Sequence, residues 1–273
     1  MQTAIDVQAL RTSVRLGDQH TIGALARVHG PLLGLGDNDQ PLAMTDHCEH
    51  LLVAAGAGAG TTTLLRALAA QSLSLGASVT FLDTARAHRW ALGLPRATHL
   101  SRLEAIHDHL IAAATALPSV HVGGGWKQRT VFLTEQLGSL VQGLRQYWNL
   151  TRPESQLEES PAVEALTTLL AAGPGRGVQF IAGNPAGTVP GLLDESLSEV
   201  FPTRVISGSA TLWARLAPTV WFVPPASCLA GRMHVVTDGA PVGMQTLQLT
   251  ETEARQLAGG PAQKTKADKT QGR

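Results

Sequence analysis

The chain has 273 residues, with 21 basic and 21 acidic side chains and no net charge, so its composition carries no globally basic face for nucleic acid. Hydrophobic residues make up 44% of it, enough for a packed globular core. Its two cysteines, Cys48 and Cys228, form no disulfide framework, no apolar run approaches the roughly 20 residues of a membrane span, and no secretory signal pattern opens the sequence, so a cytoplasmic protein without membrane insertion is expected.

Residues 1–30 are weakly patterned and read as a small helical segment or partly ordered arm. Leu32 to Met44 predicts two strands around the turn Asp37-Asn38-Asp39. Leu51–Ala55 is a short apolar strand, followed by the alternating glycines Gly56, Gly58 and Gly60 and a helix over Thr61–Ser74 that Gly76 closes. Ser78 to Asp83 is the next strand. Ser101 is placed to cap a helix from Arg102 to Leu117, with Glu104 completing a capping box. Thr130 to Glu135 predicts a third buried strand. Helices over Gln136–Trp148 and Ala162–Ala172 follow, with Pro161 in the first turn of the second. Val178 to Asn184 and Thr203 to Gly208 are the fourth and fifth strands. Thr219–Pro225, Gly231–Gly239 and Gly243–Thr250 predict shorter strands, some in a hairpin, and residues 259–273 a disordered basic tail. Strands alternating with helices predict one α/β domain over residues 31–258, with a mostly parallel sheet and helices on both faces.

Strand, glycine loop and helix in succession are the layout of a phosphate-binding loop, read as G-x-x-x-x-G-K-[ST]. The matching window runs from Ala55 to Thr62. Ala55 replaces the first glycine, Thr61 replaces the lysine, and Gly60 and Thr62 keep the last glycine and the hydroxyl that meets Mg²⁺. Gly56, Gly58, Gly60, Thr61 and Thr62 are therefore the candidate nucleotide-binding residues, with Thr62 the metal contact when nucleotide binds. Helix N-terminal N–H groups still favour an anion, but the missing ammonium removes charge-assisted bonds worth roughly 1.5–3 kcal/mol each. At the end of the third strand, Thr134 takes the position of a metal-side acid and Glu135 that of the carboxylate that orients water. ATP with Mg is the cofactor this pattern points to, bound weakly.

Other clusters carry less. Asp46 to His50 gathers two imidazoles, a thiol and two carboxylates at a strand entry, without the convergent third and fourth ligands of a zinc site. His107 and His109 diverge on a helix and read as surface residues. Trp90, Trp126, Trp148, Trp213 and Trp221 read as core or subunit packing. Arg86, His88, Arg89 and Arg96 cluster after the second strand, at the edge where such sheets bind ligands. No nucleophile elbow is present.

In this order the segments from Leu33 to Ala258 resemble the FtsK/SpoIIIE-type DNA-pumping ATPase domain, closest to its actinobacterial plasmid-transfer branch. "HLLVAAGAGAGTTTLLRAL" is similar to its phosphate loop, "RTVFLTEQLGSLVQGLRQYW" to its second nucleotide motif, "GVQFIAGNP" to its sensor strand, "FPTRVISG" to its Pro-Thr-Arg strand and "VWFVPPASCLAGRMHVV" to its closing hairpin. The resemblance implies Asn184 as the sensor, where a Gln is usual, and Arg204 as a phosphate-contacting arginine. It also implies a P-loop NTPase-like (RecA-type) fold and ring-shaped oligomers that hydrolyse ATP and move double-stranded DNA. Departures at Ala55, Thr61, Thr134 and Asn184 point to a catalytically impaired domain that binds or regulates, in a homo-oligomer or with an active FtsK-like motor. Two alternatives stand beside this. One is an active double-stranded DNA translocase in which Glu135 positions water and Arg204 contacts phosphate. The other is a protein-recognition pseudo-ATPase of the type VII secretion kind.

Overall fold

The computed structural model describes residues 10–45, 47, 49–117, 125–155, 159–187, 189, 197–237 and 239–259. In chain order the strands are β1 (Val14–Arg15), β2 (Leu32–Leu35), β3 (Pro41–Ala43), β4 (Leu51–Ala55), β5 (Ser78–Leu82), β6 (Ala97–Leu100), β7 (Thr130–Thr134), β8 (Val178–Gly183), β9 (Thr203–Ser207), β10 (Arg232–Val236) and β11 (Val242–Gln248). The helices are α1 (Gln19–Leu25), α2 (Thr61–Ser74), α3 (Leu103–Thr115), α4 (Leu137–Thr151), α5 (Pro161–Ala172), α6 (Leu197–Val200), α7 (Ala210–Leu216) and α8 (Glu251–Leu257).

All strands join one sheet in the order β3-β2-β11-β10-β9-β4-β8-β7-β5-β6, with β1 beside β11. From β9 to β6 every pairing is parallel, and from β9 through β10, β11 and β2 to β3 every pairing is antiparallel. The parallel strands other than the edge strand β6 are largely buried on both faces, so they read as apolar runs. Side chains still alternate. Leu51, Val53, Ala55, Val131 and Leu133 pack in a core with α2 and α8 on one face, and Leu52, Ala54 and Phe132 in a second core with α3, α4, α5 and α7 on the other. The sequence reading of an α/β fold with helices on both faces holds.

Helix α2 is the pivot between phosphate loop and core. Leu64, Leu65, Leu68 and Leu73 are fully buried, and Gln71 exchanges both its amide bonds with the backbone of Leu32 (2.8 and 3.0 Å), tying the helix to the antiparallel half. Its end is set by Gly76 at φ +99°, with Ala77 N–H reaching the Ser72 carbonyl and Gly76 N–H that of Leu73.

Several local expectations shift. Helix α3 starts at Leu103, so Arg102 and not Ser101 is the N-cap residue, no side chain caps it, and Glu104 accepts from Arg102 instead. Thr219–Pro225 forms no strand, because Pro224 and Pro225 have no N–H to donate to a ladder. Within residues 10–30, α1 supplies the short helix that is one of the two expectations, while β1 pairs with β11 and Arg232 donates to the Arg11 carbonyl (2.7 Å). His107 is buried, stacked on Trp148 at 5.8 Å, and so is not a surface histidine, whereas His109 is half-buried with its ring against Phe132. Trp90, Trp126 and Trp213 are buried, but Trp221 is 98% exposed. The tail beyond 259 and the residues 1–9 lie outside the described residues.

Candidate functional site

The phosphate loop leaves the C-terminal end of β4 and turns through Gly58 (φ +78°) and Gly60 (φ +102°) into α2. Gly60 is the N-cap, and its left-handed backbone admits no other residue cheaply. A Cβ there would also come within 3.2 Å of Gly231 N, since Gly231 donates its N–H to the Ala59 carbonyl (2.7 Å). The loop is thus braced from outside by the turn before β10. The first-turn N–H groups of α2 have no partner within the helix and face an anion with the positive end of its dipole. Thr61, in the place of the lysine, holds its hydroxyl buried with no hydrogen-bond partner among the described residues.

Thr62 Oγ1 donates to Glu135 Oε2 across 3.1 Å. Val131 and Leu133 point to the α2 face, so strand alternation sends Glu135 to that face as well, and Thr134, buried, to the other. Thr134, expected at the metal side, thus points away from the loop, and Glu135, expected to orient water, meets the loop hydroxyl. Gln136, which follows, is exposed and accepts from Ser139 Oγ (3.0 Å). Glu135 reaches this place because β8 approaches closely: a Cβ on Gly183 would stand 2.2 Å from the Glu135 carbonyl oxygen.

Glu135 has a second neighbour that the sequence concealed. His88 Nε2 lies 2.8 Å from Glu135 Oε1, with the imidazole fully buried. The contact is short but off the line of a directed hydrogen bond, leaving both atoms without one. Trp90 Nε1 donates to His88 Nδ1 (3.3 Å), so the ring proton is on Nε2 and faces the carboxylate. The loop carrying His88 is held by Asp83 at the end of β5, which accepts from the N–H groups of Ala87 (2.9 Å) and His88 (2.7 Å) and pairs with His99 Nε2 (2.8 Å). The anion patch expected after the second strand is thereby divided. His88 turns inward, Arg96 donates to the Leu73 carbonyl, and Arg86 (φ +57°) and Arg89 remain exposed.

Asn184 is buried at the end of β8 and its N–H bonds the Val53 carbonyl (2.9 Å), next to the root of the phosphate loop. Arg204 is elsewhere. It pairs with Leu52 in register, and its guanidinium donates to the carbonyls of Ser198 (2.7 Å) and Thr237 (2.8 Å), so it joins β9 to its surroundings and does not reach the loop. On the other side of Gly60 a cleft of about 280 Å³ opens between Thr63, Arg66, Gly231, Thr246 and Gln248. No sequence signal marked this cleft, because its walls come from distant segments.

Of the expected strand-entry cluster, Asp46 and Cys48 lie outside the described residues. His50 is buried with both ring nitrogens engaged, one at the Leu170 carbonyl (2.9 Å) and one accepting from Phe180 N–H (3.0 Å). Burial lowers its pKa to about 4, so the ring is neutral and structural. Burial, aided by Arg232, lowers His234 to about 4 as well. Among the described residues no group of His, Cys, Asp and Glu could hold a metal by itself.

Mg²⁺ with a nucleotide fits part of this arrangement. Thr62 gives its proton to Glu135 and keeps its oxygen lone pairs for a cation, and the orphaned Thr61 hydroxyl faces the same loop. What the residues do not supply is the ammonium or the free carboxylate for water.

No family model and no curated protein matches the chain. Solved structures do. The chain is similar to the pCW3 conjugation coupling protein TcpA, in a monomer form with ATPγS, at 12% identity and a TM-score of 0.64, covering 91% of this chain and 74% of that one. It is similar to the cytoplasmic domain of the Thermomonospora curvata type VII secretion ATPase EccC at 14% identity and TM-score 0.61, over 88% of this chain and 28% of that one. ATPases 2 and 3 of the same protein, in complex with a signal sequence peptide, match at 15% identity and TM-score 0.62, over 88% of this chain and 44% of theirs. The chain therefore spans less than half of these secretion proteins. It shares the α/β fold of these ATPase structures, the fold that the sequence resemblance implied.

Proposed function

We propose that this P-loop domain binds nucleotide without hydrolysing it and serves as a binding or regulatory partner in DNA transfer or segregation. The Thr62–Glu135 hydrogen bond carries the reading. It commits the carboxylate to the hydroxyl and metal side, and the next residue, Gln136, has an amide that takes no proton from water. Phosphoryl transfer rests on positioning and on cations that neutralise developing charge, and Thr61 supplies none. In this reading Gly56, Gly58, Gly60, Thr61 and Thr62 meet the phosphates, Thr62 with Glu135 holds Mg²⁺, Asn184 lies beside the γ side, and the chain works in the cytoplasm within a homo-oligomer or beside an active motor on double-stranded DNA. The coupling protein of like fold, seen with ATPγS, supports the nucleotide, and its name supports the setting.

A second reading is recognition of a protein segment. Trp221 (98% exposed) and Phe222 (59%) stand on the stretch that ends at Gly231 on the phosphate loop, and a secretion ATPase of like fold is known in complex with a signal sequence peptide.

The test is titration with a fluorescent ATP analogue, with and without Mg²⁺, beside a phosphate-release assay with and without duplex DNA. Binding that Mg²⁺ strengthens, with no release, is expected. Thr61→Lys with Gln136→Glu should bring measurable turnover. DNA-stimulated release by the unmodified protein, abolished by Glu135→Gln, would overturn the reading in favour of an active translocase.

A further inference from the structure

Glu135 stands between two donors of different origin. Thr62 belongs to the phosphate loop and His88 to the loop after β5. The carboxylate can satisfy the hydroxyl through Oε2 while Oε1 stays against the imidazole, or turn about its last torsion toward either one, since that torsion is broad. His88 itself has no such freedom. Its backbone N–H is fixed on Asp83, its Nδ1 accepts from Trp90, its ring packs against Phe81 at 5.5 Å, and none of the side chain is exposed. A rigid imidazole beside an adjustable carboxylate sets where that carboxylate points. Both His88 Nε2 and Glu135 Oε1 are buried without a directed hydrogen bond although they are 2.8 Å apart, and a small turn of the carboxylate would give both one.

Resting on the nucleotide reading above, we propose that His88 is a positioning residue for Glu135, which makes the Mg²⁺ dependence of nucleotide binding a property of the β5 loop as well as of the phosphate loop. The imidazole touches neither nucleotide nor metal. It acts through the carboxylate, as outer partners of metal-side ligands do, and their loss typically weakens metal affinity roughly 10- to 100-fold. Asp83 sets the imidazole, the imidazole sets Glu135, and Glu135 sets the Thr62 hydroxyl.

The experiment compares the affinity of the full chain for a fluorescent ATP analogue in Mg²⁺ and in EDTA. His88→Leu should lose about tenfold of the gain that Mg²⁺ gives and leave the EDTA affinity unchanged. His88→Gln, whose amide can still donate to the carboxylate, should recover most of it. In a Glu135→Gln background the His88→Leu change should have no further effect, because the two act in series. An unchanged Mg²⁺ gain in His88→Leu, or losses that simply multiply in the double variant, would overturn the role. If the unmodified protein binds no nucleotide in either condition, the nucleotide reading fails on its own. The His88–Glu135 link is then decided by thermal melts of the same four proteins: a non-additive cycle keeps it, and an additive one removes it.

Discussion

Two histidine–carboxylate pairs sit at the C-terminal edge of the sheet, Asp83–His99 and Glu135–His88, both with a 2.8 Å separation. They are built to different ends. Asp83 is 1% exposed and engaged on both oxygens, with two backbone N–H groups and a directed bond from His99. Glu135 is 13% exposed, holds one directed bond from Thr62, and meets His88 off line. A buried carboxylate engaged on both oxygens is architecture. One left short of a partner beside a glycine loop has capacity for a ligand. Separation alone does not distinguish them; the number and direction of donors does.

The sharpest way to break this comparison is Asp83→Ala. It strands the N–H groups of Ala87 and His88 and the imidazole of His99, and should cost about 4 kcal/mol in urea unfolding. A loss as small as that of Glu135→Gln would erase the contrast between the pairs. Next in size is the acid limit, which the comparison assigns to neither pair. The folded His50 titrates near 4 and the unfolded ring near 6.5, so the unfolded state binds its proton first. Stability from His50 is complete above about pH 6.5, falls as pH drops toward 4, and is flat below; the total is about 3 kcal/mol. Melts of His50→Asn across this range should show a reduced slope, with the remainder shared by His234. Removing the imidazole of the buried Asp83 pair, His99→Leu, should cost about 2 kcal/mol by the same urea measurement, because Asp83 loses a directed donor. The smallest effect is expected at Glu135→Gln: about 0.5 kcal/mol or less in stability, together with loss of the Mg²⁺ gain in nucleotide affinity. A large stability loss there would place Glu135 with Asp83 among structural groups.

The sequence disclosed the central strands and α2 almost to the residue, because buried parallel strands leave apolar cores such as Leu51–Ala55 and Val131–Leu133, the first ended by Gly56 and the second by Thr134-Glu135. It was less informative at the edge, where β6 carries Thr98 and His99 in a short half-exposed strand that no apolar run announces. Thr134 and Glu135 are both expected beside the loop, whereas Thr134 is buried on the opposite face and Glu135 meets the loop hydroxyl. An apolar run does not say which polar residue after it points to the loop, whereas the alternation of Val131 and Leu133 against Phe132 does once the faces are known. His88 was visible as part of a basic cluster, but its meeting with Glu135 depends on β5 and β7 lying side by side, which only the sheet order supplies. The capping box of α8, with Thr250 and Glu253 bonding each other's backbone, was readable from Thr-x-x-Glu and was not used.

The strand order also bears on how copies of this chain can meet. The ten-strand path of the sheet ends in two edges, and exposed edges recruit further strands into fibres. One of them is β3, three residues long and opening with Pro41, and the other is β6, four residues long. Proline withholds a donor and short strands offer few rungs, so both ends of that path are poor templates for continuing the ladder.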